Sequence, residues 1–205
     1  WEVATVEGSA PGPRSAHSAV MTPKKEIVIF GGYDGERMCS LNDVWVLDLV
    51  RLRWFRPEVN KPGTTAAPSA SQPGPRCWHR ATVIDSGRRM LVHGGTNYAP
   101  DGGICESDIW LLDLETWRWS KQATTMGPGV EYESLMRLSH GLTTLRRRGD
   151  GSCVVALYGG YGTAGMAGTD VLLLDVATWR WSVVERPVPV GSDGGPGTLA
   201  DFSSI

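Results

Sequence analysis

Apolar residues in this chain come in short bursts parted by Gly, Pro, Asp or charged positions, and one succession of bursts recurs three times. "IVIFGG", "MLVHGG" and "VVALYGG" each end in a glycine pair, at Gly31 and Gly32, Gly94 and Gly95, and Gly159 and Gly160. An Asp-led burst follows in each copy, "DVWVLDL", "DIWLLDL" and "DVLLLDV", and then a tryptophan, Trp54, Trp119 or Trp181. The step from Asp43 to Trp54, from Asp108 to Trp119 and from Asp170 to Trp181 is always 11 residues. Upstream, "PGPRSAH" at 11–17 returns as "PGPRCWH" at 73–79 and, more faintly, as "RLSH" at 137–140.

These bursts are too short for helices and rich in β-branched and aromatic residues, so each unit predicts four strands. In the first unit they fall at His17–Met21, Ile27–Phe30, Val44–Leu47 and onward from Trp54. The second strand is apolar at successive positions, as a strand covered on both faces must be, and this predicts sheets stacked against sheets. A glycine pair at its end marks backbone at positive φ, or another chain approaching too closely for a Cβ.

Four strands per unit, the glycine pair and the late tryptophan at fixed distance resemble kelch repeats over about residues 11–186. The resemblance implies an all-β chain built as a β-propeller of four-stranded kelch blades. Two departures stand out. The tyrosine usual near the end of the family's third strand is Leu47, Leu112 and Leu174 here, and the third copy has Leu172 where the others have Trp45 and Trp110. The expected organisation is an outer strand of a preceding blade at 1–10, blades at 11–58, 73–122 and 131–186, loops at 59–72 and 123–130, and a flexible linker or tail at 187–205. Trp1, 13 residues before Arg14, suggests that leading strand. Three blades fall short of the roughly four needed to close a ring, so the remaining blades are expected from the rest of the chain or from a partner subunit.

Composition agrees with a folded core. Of 205 residues, 41% are hydrophobic, and 26 Gly plus 13 Pro stay below the range of low-complexity disorder. The four cysteines, Cys39, Cys77, Cys105 and Cys153, are far apart and unpaired in spacing, as reduced thiols would be. This favours a cytoplasmic setting, with nuclear or cytoskeleton-associated locations open. No run approaches the ~18 apolar residues of a membrane span.

Candidate chemistry is sparse. His17, His79 and His140 invite a metal reading, but they occupy one position in three units, which points to shared packing. His93 aligns with Phe30 and Tyr158 and reads as a core ring with a hydrogen bond. The repeated acids, Asp43, Asp108 and Asp170 and then Asp48, Asp113 and Asp175, are expected to cap turns or to pair with Arg53, Arg118 and Arg180. No hydrolase elbow, zinc-protease motif or phosphate loop is present. Cys39 and Cys105 with Tyr33 and Tyr98 bring to mind the kelch-like copper oxidases, yet no histidine pair stands outside the repeat. The expectation is therefore no catalytic residue, no metal and no cofactor.

Sorting loops by side gives a polarised disc. Turns within the outer and inner hairpins gather Lys24, Lys25, Arg51, Arg53, Arg88, Arg89, Arg118, Arg146, Arg147, Arg148 and Arg180, out of 20 basic residues in all. The opposite face, with the longer loops, carries Asp34, Glu36, Asp101, Glu106, Glu131 and Glu133 against mainly Arg37. Loops that vary over a rigid repeat are where specificity sits, and Tyr33, Arg37, Asn97, Tyr98 and Tyr161 are the contact candidates there. On the basic face the candidates are Lys24, Lys25, Arg88, Arg89, Arg146, Arg147 and Arg148. The expected function is a non-enzymatic scaffold for protein partners, with an acidic protein surface, a cytoskeletal polymer or RNA as possible targets of the basic face. A cullin-type ubiquitin-ligase substrate receptor, and a kelch-type copper oxidase or carbohydrate-active enzyme, are the alternatives.

Overall fold

A computed structural model describes residues 3–60, 72–98, 103, 105–146, 152–162, 165–166 and 170–184. The first blade is a meander of β1 (Ser18–Met21), β2 (Glu26–Asp34), β3 (Cys39–Asp48) and β4 (Arg53–Phe55). The second repeats it with β5 (Arg80–Ile84), β6 (Arg89–His93), β7 (Ile109–Asp113) and β8 (Arg118–Gln122). After β9 (Thr125–Met126) the third blade follows with β10 (Gly141–Arg146), β11 (Cys153–Tyr158), β14 (Leu172–Asp175) and β15 (Arg180–Val183). A two-stranded ribbon, β12 (Tyr161–Gly162) and β13 (Gly165–Met166), leaves the third blade after its glycine pair. All neighbours within a meander are antiparallel, and β2 and β3 outrun their predicted lengths because the pairing resumes beyond a register shift at Phe30 and Gly32.

Two apolar layers hold the arc together, one at each seam between blades. Val20, Val28, Phe30, Val44 and Val46 of the first blade pack on Met90, Val92, Leu112 and Trp119 of the second. The second blade's other face gives Ile84, Leu91, Ile109 and Leu111 to Val155, Leu157, Leu172, Leu174 and Trp181 of the third. β6, in the middle blade, gives Met90 and Val92 to one layer and Leu91 to the other, which is why its apolar run does not alternate. The repeat tryptophan always faces the blade before it. Trp119 meets Phe30 at a ring separation of 4.9 Å, and Trp181 meets His93 at 5.7 Å. Trp54 has no described blade before it and is half-buried, and Tyr158, the counterpart of Phe30 and His93, is 53% exposed.

The glycine pair works on two sides, its first member against the next blade and its second within its own. A Cβ on Gly31 would lie 2.8 Å from the Arg76 carbonyl oxygen and 3.1 Å from the His79 ring, both from the next blade. A Cβ on Gly32 would lie 2.7 Å from the Ser15 carbonyl and 2.8 Å from His17 Cβ, within its own blade. Both residues sit at positive φ, 61° and 103°. Gly94 and Gly95 repeat the arrangement against Arg137 and His79, whereas Gly159, at φ 64°, has nothing within 4 Å among the described residues.

Chain passing from one blade to the next attaches to the outer edge of the next. Thr125 and Met126 run parallel to Arg180 and Trp181, and Asn60 donates its amide to the Trp117 carbonyl. Glu7 does the same for the first blade, bridging to Arg53 in parallel with bonds to Leu52 and Trp54. The segment 1–10, expected as a strand of a preceding blade, thus reaches the following blade at Glu7. The tail at 187–205, most of the 59–72 loop, Trp1, Asp101, Arg147 and Arg148 lie outside the described residues.

Candidate functional site

The repeated polar residues are tied into the frame of each blade. Arg14 donates to both carboxylate oxygens of Asp43, at 2.6 and 3.1 Å, and Arg76 does so to Asp108. The indoles of Trp45 and Trp110 donate to the same acids at 2.7 Å. Burial opposes ionisation of Asp43 and Asp108, but these bonds outweigh it and hold both pKa values below the ordinary range. Asp48, Asp113 and Asp175 instead cap the outer turns, each accepting two main-chain amides. Of the two expected roles, turn capping holds for Asp48, Asp113 and Asp175, whereas Asp43 and Asp108 face inward and pair with the PGPR arginines Arg14 and Arg76.

The histidines are seam residues. His79 reaches back to Ser18 Oγ at 2.9 Å, and its ring meets Phe30 edge-on at 5.1 Å. In the next seam the partner changes: His93 replaces Phe30, and its Nδ1 lies 3.1 Å from His140 Nε2. Burial drives all three imidazoles strongly neutral, His79 to about 3, His93 to about 4 and His140 to about 2. Among the described residues no group of three or more His, Cys, Asp and Glu side chains is placed to hold a metal ion.

On the loop face the contact candidates divide. Tyr33 and Tyr98 meet edge-on with centroids 5.2 Å apart, and Trp78 joins at 5.7 Å from Tyr98, forming one aromatic cluster across the seam of the first two blades. The Tyr98 amide donates to Ser40 Oγ at 2.9 Å, pinning the second blade's loop to β3 of the first. Desolvation raises the Tyr33 pKa, aided by Tyr98, Cys39, Cys77 and Asp34 nearby. Tyr98 remains 44% exposed. Asn97 precedes it and is exposed, Arg37 is exposed beside Asp34 at 3.8 Å, and Tyr161, 52% exposed, stands on β12 after the third blade's glycine pair, bridging to Leu138. Cys77 is buried with its thiol pKa raised by desolvation, so the thiol beside these tyrosines is an inert packing group.

The opposite face is electrically mixed. Arg88 lies 3.7 Å from Asp113 and 3.8 Å from Glu115, Arg89 pairs with Asp85, and Arg146 donates to Ser86 Oγ at 3.5 Å. Lys24 and Lys25 are exposed.

Three aromatic residues escaped the sequence reading. Trp117 and Trp179 occupy the left-handed region at φ 57° and 54°, as does their counterpart Leu52 at 50°. There Trp117 packs on Phe55, and the Arg89 guanidinium lies 5.7 Å from the Trp179 ring, clasping each seam at its outer rim. The "TWRW" written twice, at 116–119 and 178–181, was the available signal. Trp78 was visible only as the odd member among Ala16, Trp78 and Ser139.

Comparison with known proteins agrees with this architecture. Residues 1–192 match the KLHDC2/KLHL20/DRC7 Kelch-repeats domain, and the chain belongs to the kelch-repeat family. It is 32% identical over 197 residues to acyl-CoA-binding domain-containing protein 5 of Arabidopsis thaliana, covering 95% of this chain and 26% of that protein. It is 33% identical over 137 residues to human host cell factor 2, covering 58% of this chain and 15% of the relative. Among solved structures, that of YjhT superposes with a TM-score of 0.60 at 16% identity, over 92% of this chain and 56% of the other. The chain therefore spans about a quarter or less of these two curated relatives. Family and relatives together support a protein-interaction scaffold. No helix among the described residues is long and apolar enough to cross a membrane.

Proposed function

We propose that this kelch arc binds protein partners through its loop face, at the aromatic cluster of Tyr33, Trp78 and Tyr98. The observation that carries the reading is the placement of those three rings across a seam, Tyr33 on β2, Trp78 just before β5 and Tyr98 on the loop after β6. Tyrosine and tryptophan offer large contact area for little rotamer entropy and dominate the energetic centres of interfaces. Arg37 and Asn97 supply a polar rim. Against the basic face stands the commitment of Arg88 and Arg89 to nearby acids, which offsets part of the charge that Lys24, Lys25, Arg53, Arg118, Arg146 and Arg180 expose there. Exposed ion pairs of this kind contribute little net attraction at physiological salt.

The test is quantitative affinity capture with the full-length protein in three forms: wild type, Tyr33→Ala with Tyr98→Ala, and Lys24→Glu with Arg88→Glu. The aromatic pair of substitutions is expected to cut recovered partners by about tenfold, the cost of one interface hot spot. The charge reversals are expected to leave them intact. Unchanged recovery with the aromatic variant would overturn the loop-face reading.

A further inference from the structure

The inner strands β1, β5 and β10 lie side by side around the axis of the arc, joined on the loop side by main-chain bonds from Trp78 to Ala16 and from Ser139 to Trp78. Along this rim the second blade breaks the repeat at two positions. Trp78 stands where its neighbours have Ala16 and Ser139, and Arg80 stands where they have Ser18 and Gly141. We propose that Arg80 is the counter-ion for a single acidic side chain of a partner peptide, held at the inner rim of the loop face. The proposal rests on the loop-face reading and names the chemistry that face selects.

Arg80 differs from the arginines of the two PGPR segments. Arg14 and Arg76 are each bonded to both oxygens of an aspartate. Arg80 is half-buried, and its hydrogen bonds go to the carbonyls of His140, at 2.7 Å, and of His79, at 3.3 Å. Among the described residues no carboxylate pairs with it. A guanidinium has five N–H donors, and one partly removed from water without a counter-charge gains from a carboxylate that takes two of them in parallel. The seam does not need Arg80 to satisfy its imidazole. In the first seam Ser18 does that for His79, but in the second His93 bonds His140 instead.

The surroundings restrict the peptide further. Glu36, Glu131 and Glu133 are exposed at the loop tips, so a run of acids would be repelled on approach. The preferred segment carries one Asp or Glu with neutral or basic neighbours and an apolar residue for the exposed side of Tyr98.

An array of random octapeptides, acetylated and amidated at their ends, is the probe, read with the full-length protein and with Arg80→Gln and Arg80→Lys. Expected is enrichment of one acid at a fixed position, and a loss of about tenfold or more for those peptides with Arg80→Gln. Arg80→Lys should recover part of it, and replacing the peptide's acid by its amide should reproduce the loss. Melting curves of the variants separate a folding defect from a recognition defect. Enriched peptides without an acid, equal binding by Arg80→Gln, binding only to peptides with free C-termini, or no binding up to about 1 mM, a weak-affinity ceiling, would each overturn the proposal. If Arg80→Gln changes nothing while Tyr33→Ala with Tyr98→Ala still loses its partners, this assignment alone fails and the loop-face reading stands.

Discussion

The buried imidazoles make the seams sensitive to acid. His79, His93 and His140 have folded pKa values pushed down to about 3, about 4 and about 2, against 6.5 for the free side chain. Below pH 6.5 the unfolded chain therefore binds protons that the folded chain refuses. Stability is complete above pH 6.5 and is lost as pH falls toward each folded value. At pH 5 each of the three imidazoles costs about 2 kcal/mol relative to neutral pH. Asp43 and Asp108, whose pKa values are depressed, add to the loss only below the ordinary carboxylate range. Urea midpoints measured from pH 8 to pH 4 should fall steeply from about 6.5 downward, and a flat profile between 6.5 and 5 would contradict neutral burial. The sequence showed that the histidines were repeat residues, because three shared one place. Their partners were not legible: Ser18 and His79 are 61 residues apart, and His93 and His140 are 47 apart.

At the scale of the element, the glycine pairs and the tryptophan spacing were read directly, because they are short-range patterns repeated three times. Outer-turn tryptophans at positive φ were not, since a bulky side chain in the left-handed region runs against local preference and is held there only by the neighbouring blade. The two kinds of glycine environment give a comparison. Gly31→Ala and Gly94→Ala both drive a methyl into the carbonyl of Arg76 or Arg137 on the next blade, beyond the strain of positive φ. Gly159→Ala meets only that strain. In this 205-residue chain the first two substitutions should cost about 3 kcal/mol or more and the third about 1. Thermal melts of the three variants side by side check the order, and equal losses would show that steric clearance at the seam is not what these residues provide.

Across the whole molecule, each blade is closed by the one before it through its tryptophan and by the one after it through its glycine pair. Among the described residues the arc carries two such seams, with half-buried Trp54 at one end and exposed Tyr158 at the other. Removing the ring from a completed seam should cost far more than removing it from an open one. Trp181→Ala, at a fully buried site, should lose about 3 to 5 kcal/mol, while Trp54→Ala should lose roughly a third of that. Denaturant titrations of the two variants give the comparison.

The attachment of Glu7, Asn60 and Thr125 to the outer edge of the following blade places the written boundary of a unit out of step with its physical one. Someone grafting the third blade into a relative, and cutting just before Arg137 because the motif begins there, would discard Thr125 and Met126 and expose the outermost backbone of the transplanted sheet. A cassette opened just after Gln122 carries its own hem with it.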